Sequence, residues 1–181
     1  MSKAFTKDDA PDSLLVVPPR APLPEGTPNY VTPRGLARLH AERAELESER
    51  AGCGPADEDA ERTRVTATLL ARLAELDARI ATVELVASSA HHDEVRFGAT
   101  VTVRSEAGVE KRYKIVGVDE ADAAHEPVGL VAFVAPIARA LLGKRVGDVA
   151  TVRSPRGVEE LEVVAVEYDA GADEVSAGPA R

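Results

Sequence analysis

Tryptophan is absent from this 181-residue chain, cysteine and methionine occur once each, and phenylalanine and tyrosine three times each. One thiol, Cys53, excludes an intrachain disulfide framework and a cysteine-built zinc site. With aromatics at 3% but hydrophobic residues at 44%, a packed core is built from Leu, Val, Ile and Ala. Long apolar runs are missing too: none approaches the roughly 20 residues of a bilayer span. Met1 to Ala10 is charged and has no apolar core, so it does not read as a secretory signal. The expectation is a soluble, cytoplasmic protein without a membrane. Basic charge is in deficit, 22 Lys and Arg against 31 Asp and Glu for a net charge of −9. Tight autonomous binding to nucleic acid needs cations to displace counterions, so it is excluded; a protein partner with basic surfaces fits better. No phosphate-binding or dinucleotide glycine pattern is present, and no Ser/His/Asp or Cys/His arrangement has usable context.

What is present divides into four stretches. Residues 1–28 hold Pro18, Pro19, Pro22, Pro24 and Pro28, which fix φ and remove donors, so an extended or disordered segment is expected. Residues 29–90 read as two helices. Thr32 is a good N-cap and Pro33 suits the first helical position; strong helix formers follow to Arg50, and Gly52 and Gly54-Pro55 end the run. A second helix is expected from about Asp57 to Ala87, with Val65, Leu69, Leu73, Leu76, Ile80 and Val83 close to a coiled-coil seam. Helix 1 answers with Leu36, Leu39 and Leu46. Two helices joined by a short Gly/Pro loop pack antiparallel, which places the hairpin tip between about Ala51 and Glu61.

Residues 91–168 change period. Alternation over Thr100–Arg104, Arg112–Val116, Val149–Val152 and Leu161–Val166 marks strands, and Val128–Val134 reads as a buried one. Gly108, Gly147-Asp148 and Pro155-Arg156-Gly157 supply turns. Pro136 to Leu142 has helical spacing, opened by Pro136 and capped by Gly143. The expected fold class is α+β: an antiparallel coiled-coil hairpin followed by a small antiparallel β-domain with one short helix. His91 to Glu94 link the two; residues 169–181 form a charged, loose tail.

The order of these parts, together with several blocks, resembles the Gre family of transcription elongation factors, GreA and GreB, and is nearest to the GreB type. The blocks are Ala21–Pro24, Pro28–Gly35, Phe97–Val103, Tyr113–Gly117 with Asp119–Asp122, and above all Pro136–Lys144 followed by Val146-Gly147-Asp148. The resemblance implies an FKBP-like β-domain that grips the rim of the secondary channel of bacterial RNA polymerase. It implies a hairpin pointing at the catalytic centre, a monomer, and contact with the nascent RNA 3′ end only inside the polymerase complex. It also implies no cofactor bound by the protein alone, but an Mg²⁺ shared with the polymerase, through which backtracked RNA is cleaved. Carboxylate oxygens suit that hard cation.

The family's tip motif has the form Gly-Asp-x-x-Glu-Asn-Ala-(Asp/Glu)-Tyr; here the nearest stretch is Gly54-Pro55-Ala56-Asp57-Glu58-Asp59-Ala60-Glu61-Arg62. One alignment puts Pro55 at the first motif acid, the other puts Asp59 near the apex. The candidate catalytic and Mg²⁺-facing residues are therefore Asp57, Glu58 and Asp59. The same acids also suit the first turn of helix 2, where they complement the macrodipole. Relative to the family the hairpin lacks about fourteen residues, roughly one heptad per arm, which takes off about 10 Å of reach. Pro136, Ile137 and Arg139 are the candidate polymerase-binding residues, while Ile137, Leu141 and Leu142 also suit packing on the sheet. The leading expectation is a factor that supports transcript cleavage without a catalytic site of its own. The alternative is a short-hairpin, non-cleaving regulator that competes with cleaving Gre factors. Peptidyl-prolyl isomerase activity needs an aromatic-lined pocket, and Phe97, Tyr113, Phe133 and Tyr168 do not supply one. His91-His92-Asp93-Glu94 reads as a solvated linker, not a metal site, because adjacent residues rarely face one ion.

Overall fold

The computed structural model describes residues 20, 22–53, 60–87, 93–121, 128–155 and 157–169. Thr32 opens α1 (Pro33–Gly52): its hydroxyl accepts the Gly35 N–H at 2.9 Å, and Pro33 occupies the first turn. This satisfies one of the free N–H groups of a helix start. α2 (Ala60–Ala81) returns along it. Leu39 and Leu46 of α1 pack with Leu69, Leu73 and Leu76 of α2, flanked by Leu36, Ile80 and Cys53. Arg43 of α1 bonds Asp77 of α2 at 2.6 Å on the exposed side.

The seam is shorter than its sequence suggests. Val65 is 41% exposed and is not among the side chains packed on the hairpin core. At the other end α2 stops at Ala81, not near Ala87. Val83–Leu85 instead form β2, paired in parallel with β1 (Asn29–Val31), in register Asn29↔Val83 to Val31↔Leu85. The Asn29 amide caps the helix end, donating to the Arg79 carbonyl at 2.9 Å and to the Thr82 hydroxyl at 3.1 Å. The Arg79 carbonyl, which also accepts from the Thr82 N–H and hydroxyl, is thereby tied to β1, and Val83, still packed on the hairpin core, is held in a strand.

The β-domain comprises β3 (Ala99–Ser105), β4 (Glu110–Val116), α3 (Val118–Ala121), β5 (Gly129–Ala132), α4 (Pro136–Leu141), β6 (Val149–Ser154) and β7 (Gly157–Tyr168). The sheet order is β5-β4-β3-β7-β6. All neighbours are antiparallel except β4 and β5, which run parallel. A tight turn cannot make that pairing; the chain between Val116 and Gly129 is a crossover, and it contains α3, a second short helix not expected from the sequence. Between Thr102↔Ala165 and Val103↔Val163 the register skips Val164, a bulge in β7 that bends that strand against β3. On the inner face Val101, Val103, Ile115, Leu161 and Val163 are sealed by Ala138 and Leu141 of α4, both 0% exposed. α4 ends as expected at Gly143, whose φ of +81° suits glycine. On the outer face cross-strand ion pairs link Arg104 to Glu110 and Glu162, Arg112 to Glu167, and Lys114 to Asp169. Among the described residues no helix is long and apolar enough to cross a membrane.

Candidate functional site

Three places concentrate polar or aromatic side chains where they have no purely packing role. The first is the start of α4. Phe133 N–H bonds the Val116 carbonyl at 2.9 Å and Ala135 N–H the Ala132 carbonyl at 2.8 Å, which turns the chain from β5 into the helix. Pro136 then needs no hydrogen-bond partner. Ala138 and Leu141 point into the core, Ile137 is half-buried against it, and Pro136 and Arg139 stay exposed. Arg139 makes no ion pair with any described residue. The sequence-predicted trio is thus brought together on one helical turn, with Ile137 partly committed to the core.

The second place is the hairpin tip. Asp57, Glu58 and Asp59 lie outside the described residues, between Cys53, which closes α1 through an N–H bond to the Arg50 carbonyl at 3.2 Å, and Ala60, which begins α2. The carboxylates are chemically apt for Mg²⁺; among the described residues no group of three or more His, Cys, Asp or Glu could hold a metal ion. His91 and His92 also lie outside the described residues. Asp93 leads to Glu94, which bridges Arg145, and Val95 is bonded on both sides to the Gly143–Lys144 segment behind α4.

The third place, with no role assigned from the sequence, is the joint between hairpin and β-domain. Glu120 of α3 is 3% exposed. Its Oε2 accepts from the Thr32 hydroxyl at 2.6 Å, while Oε1 is buried with no partner among the described residues. Thr32 therefore caps α1 and contacts the β-domain with one oxygen. Beside it, Asp119 accepts from Arg20 at 2.8 Å and lies 3.5 Å from Arg79 of α2. Arg20 also pairs with Glu42 of α1 at 2.5 Å. Desolvation works against the Arg20 cation, but the hydrogen bonds to Asp119 and Glu42 outweigh it and raise its pKa. Pro22 and Leu23 run on beside Ala78 and Thr82 of α2.

Two glycines make the joint close. A Cβ on Gly117 would stand 2.5 Å from the Tyr30 carbonyl oxygen, and one on Gly35 would stand 2.9 Å from Glu120 Oε2. Tyr30, Phe97 and Phe133 complete the joint as mutually tilted rings with centroids 5.5–5.8 Å apart, a favourable aromatic geometry. In the sequence this cluster is marked only by Gly117 followed by Asp119-Glu120, within a block that resembles the Gre family.

A helical hairpin seated through such a joint on a curled, mixed β-sheet defines a two-part α+β class of protein. Residues 90–168 match the family described as "Transcription elongation factor, GreA/GreB, C-term". Over 164 residues the chain is 35% identical to transcription elongation factor GreB of Pseudomonas aeruginosa, covering 82% of this chain and 95% of that protein. It is 43% identical over 99 residues to transcription elongation factor GreA of Hyphomonas neptunium; that match covers 54% of this chain and spans 61% of the GreA length. A crystal structure of GreA factor homolog 1 of Thermus thermophilus aligns over 78% of this chain and 99% of its own, at 21% identity and a TM-score of 0.37. The chain belongs to the GreA/GreB family.

Proposed function

We propose that this protein is a transcription elongation factor that binds bacterial RNA polymerase at its secondary channel and promotes cleavage of backtracked nascent RNA. The observation that carries this reading is the identity to GreB over 95% of that protein's length, which takes in hairpin and β-domain together. In this reading α4 is the docking element. Pro136 and Arg139 offer a rigid corner and an exposed cation, and Ile137 adds an apolar edge anchored in the core. The hairpin is the spacer: the 20 residues of α1 carry the tip about 30 Å from the joint at about 1.5 Å per residue.

Asp57, Glu58 and Asp59 would meet the polymerase active centre there and lend oxygen ligands to an Mg²⁺ whose other ligands belong to the polymerase. Such an ion activates water and stabilises the leaving oxygen. The chain's own work is to dock, to span and to present carboxylates; it has no catalytic site of its own and meets RNA only inside the complex.

The test is a purified backtracked complex with the protein at saturation. Short 3′ RNA products are expected with Mg²⁺, and Asp57→Ala, Glu58→Ala and Asp59→Ala combined should abolish them while binding persists. Saturated binding of the native protein without products would overturn the cleavage reading. It would leave a channel-occupying factor that competes with cleaving Gre factors, the alternative that Pro55 at the first motif acid favours.

A further inference from the structure

We infer that α3 is a clamp that sets the direction of the hairpin relative to α4, with Asp119 and Glu120 as its positioning residues and Arg20 as the strap that closes it. Two parts of a chain joined by a modest polar contact move relative to each other by default, so a fixed direction requires specific contacts. Here they converge on one helical turn. Asp119 takes Arg20 from the segment before the hairpin and Arg79 from the end of α2. Arg20 reaches on to Glu42 of α1. Glu120 takes Thr32, the cap of α1. Both hairpin arms and the preceding segment are therefore held by adjacent side chains of the β-domain.

Three further observations separate this clamp from ordinary packing. Glu120 keeps one buried oxygen unpartnered, a desolvation cost that an apolar residue would not incur, so its presence is better explained by directional bonding than by stability. Gly117 admits the Tyr30 backbone, whose carbonyl oxygen a Cβ would meet at 2.5 Å, and Gly35 leaves room for the Glu120 carboxylate, whose Oε2 a Cβ would meet at 2.9 Å. The aromatic contact of Tyr30 with Phe97 and Phe133 lies beside the same approach and leads, three residues on, to Pro136. One turn thus connects the start of the hairpin to the start of the docking helix. The clamp itself does not depend on the polymerase reading; its effect at the tip does.

The test uses the full chain with Cys53→Ser, and spin labels at Ser48→Cys on α1 and Glu160→Cys on β7, both exposed positions. Electron–electron distance measurement should give one narrow peak. Asp119→Ala and Glu120→Ala should widen it at least about twofold as default domain motion returns. Glu120→Gln, which keeps an acceptor for Thr32, should restore the narrow peak, and Gly117→Ala should displace its centre. If Glu120→Ala or Asp119→Ala fails to melt cooperatively, Arg20→Ala, outside both apolar cores, takes its place with the same expected widening. A parent peak already as broad as the variants, or equal widths throughout, would overturn the clamp. Polymerase supplies a separate readout: the widened variants should bind with unchanged affinity but lose their effect at the active centre. Widened spectra with no polymerase binding by any variant, parent included, would support the clamp and sink the polymerase reading instead.

Discussion

Tyr168 shows how one side chain can tie two distant stretches. Its hydroxyl donates to the Glu94 carbonyl at 2.6 Å and accepts the Arg96 N–H at 2.9 Å, so the last residue of β7 fastens the segment leading into β3. Burial pushes the phenol above its ordinary 10.0; the Arg96 N–H and charge pull it down, and the charge of Glu94 adds to the rise. Because the folded pKa lies above the unfolded one, the contribution to stability is complete below pH 10.0 and disappears as pH climbs through the folded value. Phenolate absorbance should therefore show one tyrosine titrating above 10.0, absent in Tyr168→Phe. The denaturation midpoint of that variant should fall less steeply over alkaline pH than that of the parent. Identical alkaline slopes would show that the phenol does not report on folding.

Among elements, the hairpin separates what local pattern specifies from what distance specifies. Leu76 is 1% exposed at the centre of the seam, so Leu76→Ala should cost about 2–4 kcal/mol in denaturant unfolding. Val65 carries the same pattern signal but faces solvent, and Val65→Ala should stay within about 0.5 kcal/mol. Comparable losses at the two sites would restore the longer seam. The strands of the β-domain were legible because alternation such as Thr100-Val101-Thr102-Val103 is a property of neighbours, and α4 because Pro136 and Gly143 bound it locally. The parallel β4–β5 pair, the β1–β2 pair and the second short helix were not: three- and four-residue elements carry little periodicity, and their form is settled by partners elsewhere in the chain. The joint is the extreme case. Glu120 meets Thr32 across 88 positions and Asp119 meets Arg20 across 99, so composition marks them only as two more acids on a surplus.

Taken whole, the molecule puts its candidate contacts on two separate bodies, α4 on the β-domain and the acids on the hairpin. Binding and effect should accordingly come apart. Arg139→Glu with Pro136→Ala should weaken polymerase binding at least about tenfold, near 1.4 kcal/mol, with native circular dichroism because both side chains are exposed. Full retention of core polymerase by the folded double variant would place the grip elsewhere. The small pair β1–β2 bears on the same separation. Two rods lying side by side slip lengthwise most easily by one turn, about 5.4 Å. Fastening their feet as Asn29↔Val83, Tyr30↔Glu84 and Val31↔Leu85 makes any such slip break strand pairing. Both arms therefore leave the base in fixed phase, and the far end of the hairpin inherits its height and azimuth from six residues at the opposite end.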